Sequence, residues 1–337
     1  MGALRPQPLT RSSGVTRCLR SRRAVSTRRC LLVVGVGVSI AAGIQRRIAV
    51  ARRSRVHWDR PRLRTMSLPL AARVVGEGTP IVLLHGLGAS GDYWGSAYDR
   101  LGDQHRLVVP DLLGFGASPR PTVGYGPDEH VAAIEACLHA ARVDQPAVVV
   151  AHSAGAIVAL CLATTRPDRV RAVIMFGPPL YPDAIDARRH VKRLGLTARL
   201  FANDGNFAAL VCRWSCAHRQ LAGSLAELIR PDLPARIARD GVEHTWASYS
   251  ETLGRLVLDS GAVGWLADVT MPVVIVAGRD DPVCNHPFLE EIARTHPNVA
   301  YRAWRGDHQL PLTDPGLAIG LILDVADSSW TSAQPRV

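Results

Sequence analysis

Val148-Val149-Val150-Ala151-His152-Ser153-Ala154-Gly155-Ala156-Ile157-Val158-Ala159-Leu160 is the stretch on which the reading of this 337-residue chain turns. An apolar, β-branched run reads as a buried strand, a turn of small residues carries one hydroxyl, and an Ala/Leu-rich run reads as a helix. That order is the layout of a nucleophile elbow, where small flanking residues let the backbone turn sharply enough to hold a serine in a strained conformation above a sheet. The usual pattern is G-x-S-x-G, and here Ala151 replaces the first glycine. Taken alone, Ala151 to Gly155 is equally an ordinary strand-to-helix turn.

Outward from that stretch, strand-like and helix-like segments alternate, which argues for a mostly parallel central sheet flanked by helices, an α/β fold. Arg73 to Val75 reads as an edge strand before the turn Gly76 to Gly78, and Ile81 to Leu84 as a buried strand ending in His85-Gly86-Leu87-Gly88. A short helix is expected over 90–101, a strand over 106–110, the glycine-punctuated loop Asp111 to Ser118, and an amphipathic helix over 127–141. Arg166-Pro167-Asp168 stops the helix after the elbow, and strands follow at 170–176, 272–277 and 299–304. Residues 178–270 contain little that resembles a strand and read as a helical cap inserted into the core, which would then comprise 66–177 and 271–337. Such an insertion would lie over the carboxyl ends of the strands, where open α/β sheets bind ligands.

Five segments in this order, HGLG (85–88), DLLGFGAS (111–118), AHSAG (151–155), GRDDP (278–282) and GDH (306–308), make the chain resemble the α/β-hydrolase fold family with a cap domain over about residues 70–328. The resemblance implies a triad ordered serine, acid, histidine, and Ser153, Asp281 and His308 follow that order, each just after an inferred strand. Asp280 is the alternative acid. A serine hydroxyl needs an imidazole within reach to take its proton, and the imidazole needs a carboxylate to hold its tautomer. The family's oxyanion donors carry over to the backbone N–H groups of Ala154 and Leu87, with Gly88 as the alternative to Leu87. His152 and His85 are read as structural. Relatives that cleave haloalkanes or epoxides use an aspartate at the elbow, so Ser153 points to acyl transfer instead.

The implied activity is a serine hydrolase cleaving a carboxylic ester or related acyl compound through an acyl-enzyme intermediate. Hydrolysis of a carbon–carbon bond, cofactor-free perhydrolysis or haloperoxidation, and a catalytically silent ligand-binding protein are the alternatives. The expected partner is a small apolar acyl substrate, with Trp94, Trp214 and Trp246 as candidate substrate-binding residues, together with Leu180, Phe201, Phe207 and Tyr249 of the cap. No phosphate loop or dinucleotide fingerprint is present, and no cofactor is expected.

Charge is distributed unevenly. The net charge of +11 arises from residues 1–65, with 16 Arg, no Lys and one acid, whereas the remainder is mildly acidic. Nucleic-acid binding therefore loses its support. The leader encloses one apolar run, residues 31–44, shorter than the ~20 residues that span a bilayer and closer to a signal-peptide core. Membrane association or export through 31–44 is one reading; a working, cytoplasmic chain that starts near Met66 is the other. Seven cysteines show no framework spacing and read as free thiols. Cys212, Cys216 and His218 are too few and wrongly spaced for a zinc site, so no metal is expected. Oligomeric state stays open.

Overall fold

A computed structural model describes residues 58–62, 65–195, 206–230, 232–259 and 261–327. The apolar segment 31–44 and Phe201 lie outside these residues. Eight strands form one sheet in the order β1-β2-β4-β3-β5-β6-β7-β8: β1 (Thr65–Ser67), β2 (Ala71–Val75), β3 (Pro80–Leu84), β4 (Arg106–Pro110), β5 (Ala147–His152), β6 (Val170–Phe176), β7 (Val273–Gly278) and β8 (Val299–Trp304). The strands from β4 and β3 to β8 pair in parallel, while β2 runs antiparallel to both β1 and β4. β1 carries no sequence signal, being three exposed residues that cover the edge of β2.

Parallel strands buried on both faces read as unbroken apolar runs, because side chains alternate between two cores. In β5, Val149 and Ala151 join one core while Val148 and Val150 join the other, and all four are fully buried. At about 1.5–3 kcal/mol for each large aliphatic side chain taken out of water, these strands carry much of the fold's stability. The first core is closed by α1 (Pro127–Ala140) and α2 (Gly155–Thr165), the second by two 3₁₀ helices, Gly91–Trp94 and Ser96–Asp103. The single helix expected over 90–101 is thus divided at Gly95, whose φ is +50° and against which Trp58 packs.

Between β6 and β7 lie α3 (Ala184–Arg193), α4 (Asn206–Ala217), α5 (Arg219–Ile229), α6 (Ala235–Asp240), α7 (Trp246–Thr252), a π-helical turn (Leu253–Leu258) and α8 (Ala262–Trp265). The segment is helical as expected, yet not all of it is cap. Leu256, Leu258, Ala262, Leu266 and Val269 are buried in the first core, so this last part is also the crossover that returns the chain to the start of β7. After β7 come α9 (His286–Thr295), β8, α10 (Leu310–Thr313) and α11 (Pro315–Asp327). Among the described residues, no helix is long and apolar enough to cross a membrane.

Candidate active site

Ser153 sits where β5 becomes α2, at φ +53°, one of two non-glycine residues with positive φ among those described. A left-handed L-residue costs about 1–2 kcal/mol. Two hydrogen bonds brace the turn: the Ser153 N–H donates to the Phe176 carbonyl (2.9 Å), and the Ala156 N–H donates to the Ser153 carbonyl (2.9 Å). Backbone contacts hold it from the front. A Cβ on Gly86 would lie 2.9 Å from the Ser153 Cβ, and one on Gly155 would lie 2.4 Å from the His85 carbonyl oxygen. Only glycine lets the elbow and the HGLG loop interlock so closely. Ala151, in contrast, is fully buried in β5, so its methyl group has a place in the core.

The loops after β7 and β8 bring the other two residues to Ser153. His308 Nε2 is 3.0 Å from Ser153 Oγ, and His308 Nδ1 is 2.9 Å and 3.1 Å from the two carboxylate oxygens of Asp281. Asp281 also accepts from the Val283 N–H (2.8 Å) and from the Cys284 thiol (3.3 Å). Burial alone raises a carboxyl pKa, but the hydrogen bond and charge of His308, with the Val283 and Cys284 donors, bring Asp281 below its ordinary value. Asp280, the alternative acid, is exposed. Gly177, absent from the sequence reading, lies against the pair: at φ +58°, a Cβ there would meet Asp281 Oδ2 at 2.8 Å and His308 Nδ1 at 3.0 Å.

Two histidines position these loops. The Leu112 N–H donates to His85 Nε2 (2.8 Å), which leaves Nδ1 as the protonated nitrogen, donating to the Gly86 carbonyl (2.8 Å). His85 thereby ties the HGLG loop to the loop after β4. His152 Nε2 donates to the backbone carbonyl of His308 (2.8 Å), and its ring stacks on Tyr93 at 4.5 Å. Burial, then the nearby His308, lowers the His152 pKa to about 3, which keeps this ring neutral. Asp240 of the cap accepts from Ser90 Oγ (2.5 Å), fixing the chain just beyond Gly88, and burial raises its pKa to about 6.

A cavity of about 140 Å³ opens beside Ser153, lined by Leu87 and Ala154 and by Tyr181, Leu194, Tyr249 and Val257, among others. Among the described residues, no charged side chain lines it. Neither the Leu87 nor the Ala154 N–H has a hydrogen-bond acceptor among the described residues, so both amides are available to an oxyanion next to Ser153 Oγ.

The three tryptophans assigned to substrate lie elsewhere. Trp94 is fully buried in the second core, edge-on to Tyr98 at 5.0 Å, because its 3₁₀ helix packs under the sheet. Trp214 is 42% exposed and leans on His218, and Trp246, at the start of α7, does not reach the cavity. Leu180 is core, Phe207 is largely exposed, and of the expected cap residues that are described Tyr249 alone lines the cavity. Position in a helical pattern could not tell a wall of the cavity from a packed core.

The comparisons with known proteins agree with this architecture. The chain is 25% identical over 286 residues to the 2-(acetamidomethylene)succinate hydrolase of Mesorhizobium japonicum, covering 81% of this chain and 96% of that protein. It is 34% identical over 107 residues to the 2-hydroxy-6-oxo-2,4-heptadienoate hydrolase of Pseudomonas putida, a match spanning 31% of this chain and 38% of that protein. Among solved structures, an esterase from Rhodococcus sp. ECU1013 superposes with a TM-score of 0.59 at 21% identity, over 77% of this chain and 94% of that one. The model of the alpha/beta hydrolase fold matches residues 79–304, two thirds of the sequence, and the chain belongs to that family.

Proposed function

We propose that the protein hydrolyses a small, uncharged carboxylic ester through an acyl-enzyme intermediate, with Ser153 as nucleophile, His308 as general base and then acid, and Asp281 as the carboxylate that orients His308. Ser153 Oγ attacks the acyl carbon as its proton passes to His308 Nε2. The amides of Leu87 and Ala154 take the negative charge on the carbonyl oxygen, each worth a few kcal/mol. His308 returns the proton to the departing alcohol, and water, deprotonated by the same ring, releases the acid. Asp281, already held in its ionised form, stabilises the imidazolium at both steps.

The observation that carries the reading is the 3.0 Å approach of His308 Nε2 to Ser153 Oγ at the mouth of a cavity with no charged wall among the described residues. The cavity also argues about substrate. A succinate bears two carboxylates, and burying either without a cationic partner costs several kcal/mol. Among the described residues the lining offers no such partner, which favours neutral esters over the substrate named for the Mesorhizobium relative.

Fluorophosphonate labelling tests the nucleophile: wild type labels and Ser153→Ala does not. Absence of labelling in wild type, beside a control hydrolase that does label, refutes the reading. A panel of p-nitrophenyl esters tests the substrate class, with turnover expected for short acyl chains and not for hemisuccinate esters. Hydrolysis of a vinylogous diketone with no ester turnover would assign carbon–carbon bond cleavage instead.

A further inference from the structure

The cap holds a second cluster of chemistry-bearing side chains, remote in sequence from the triad. Cys212 and Cys216, one turn apart on α4, bring their Sγ atoms to 3.9 Å. His244 enters from the loop before α7 with Nδ1 3.7 Å from Cys212 Sγ, and the three atoms all lie within 4.8 Å of one another. Cys212 and His244 are buried and Cys216 is half-buried. His218, rejected in the sequence as a wrongly spaced third ligand, is exposed and lies over Trp214 at 5.3 Å, since a residue two beyond Cys216 sits on another side of the helix.

Two of the three separations are those of a metal site, and the third, between Cys216 Sγ and the His244 ring, lies under 4.8 Å and closes by up to about 1.2 Å around an ion. With Zn–S near 2.3 Å and Zn–N near 2.0–2.1 Å, a tetrahedral ion has S···S and S···N edges of about 3.8 Å and about 3.6 Å. The observed 3.9 Å and 3.7 Å are each within a tenth or two of an ångström of those edges. Two thiolates and one imidazole are a soft donor set that selects zinc-like ions over magnesium or calcium. His244 Nδ1 also faces the Thr245 carbonyl at 3.1 Å, and the Cys216 thiol donates to the His244 carbonyl at 3.0 Å. Burial keeps the His244 ring neutral, and the Gly241 carbonyl, a further partner of that ring, can take the remaining N–H when Nδ1 turns to an ion.

We propose that Cys212, Cys216 and His244 bind one Zn²⁺ ion, with water as fourth ligand, as a structural clasp of the cap. The ion ties α4 to the loop that leads into α7. His244 packs on Tyr249 (4.9 Å), and Tyr249 is a wall of the cavity beside Ser153, so the clasp fixes one side of the substrate space without touching the reacting atoms. The site supplies no Lewis acid to the reaction.

The test uses the full chain purified under reductant, stripped with a chelator and retitrated with Zn²⁺ against a chromogenic competitor. The expected result is one equivalent bound with a submicromolar Kd, Co²⁺ giving a thiolate charge-transfer band, and Tm rising by about 5 °C at saturating metal. Cys212→Ser and His244→Gln should each weaken binding at least 100-fold, while Cys137→Ser and His218→Ala should leave it unchanged. Two outcomes overturn the proposal: less than 0.1 equivalent bound by wild type, or a Co²⁺ spectrum without thiolate charge transfer. Both are read on wild type, so a variant that fails to fold does not rescue the idea.

Discussion

Replacing Gly177 by Ala should damage catalysis far more than stability. Gly177 sits at φ +58°, so an alanine there costs about 1–2 kcal/mol of backbone strain. The new methyl carbon would also stand 2.8 Å from Asp281 Oδ2 and 3.0 Å from His308 Nδ1, where ordinary contact begins at 3.4 Å. One partner must yield by about 0.6 Å, which takes the 2.9 Å Asp281–His308 bond beyond the ~3.2 Å limit of a good N–H···O hydrogen bond. Misplacement on that scale costs about 10²-fold in rate, or ~2.7 kcal/mol of transition-state stabilisation. Gly261 separates the two effects: its φ is +62°, and a Cβ there would meet nothing within 4 Å. Gly261→Ala should lose only the strain part of the folding stability in urea titration and keep kcat/KM. The assay is kcat/KM on a short-chain p-nitrophenyl ester, alongside urea unfolding of both variants. A folded Gly177→Ala enzyme within about threefold of wild type would refute this account of how the acid and histidine are held.

Further expectations bear on the triad, the buried histidines and the start of the chain. Asp281→Asn keeps the shape but no longer fixes the His308 tautomer, so kcat should fall by about 10³–10⁴-fold with KM little changed; a drop under tenfold would remove Asp281 from its role. His152 and His130 are held neutral by burial, with pKa values lowered to about 3 and about 4, below the ~6.5 of an unfolded histidine. Their stabilisation is complete above ~6.5 and is lost as pH falls toward those lowered values. At pH 5 each histidine gives up ~2 kcal/mol, against ~1.4 kcal/mol gained from Asp240, whose raised pKa acts in the opposite sense, for a net loss of roughly 2–3 kcal/mol. Urea unfolding at pH 7.5 and pH 5 checks this, and equal stability at the two values would contradict it. A chain starting at Met66 removes the Trp58 N–H bond to the Asp92 carbonyl, the Asp59 carbonyl that accepts from Ser96, and part of β1. It should be roughly 2–4 kcal/mol less stable than one starting at His57, and identical melting curves would show that the segment adds nothing.

The elbow, the parallel sheet and the order of Ser153, Asp281 and His308 were legible because each rests on a local pattern: a β-branched run, a small-residue turn, a loop after a strand. What escaped the sequence depends on approach in space. Gly177 ends β6 like many strand-ending glycines, and only the fold shows that its missing side chain makes room for two residues more than 100 positions away. His244 is 28 residues from Cys216 and belongs to no spacing motif. The tryptophans were misplaced for a related reason: a large aromatic residue on a helix fits a cavity wall and a core equally well by pattern, and Trp94 is core. The short β1 is an edge that hydrogen-bonds to β2 without burying a side chain, so nothing in its composition marks it.

The lining of the cavity is drawn from two separate parts of the chain. Leu87, Ser153, Ala154, Pro179, Tyr181 and Val283 belong to the strands and the loops that leave them, whereas Val191, Leu194, Tyr249, Leu253 and Val257 come from α3 and its C-terminal end, α7 and the π-helical turn. On the proposed function, the reacting groups and the walls around them come from different stretches of the chain, although Val191, Leu253 and Val257 are also packed into the first core. On the proposed ester hydrolysis, laboratory selection for altered acyl preference should accumulate its changes at Leu194 and Tyr249, which only lean on that core, before any reach the elbow.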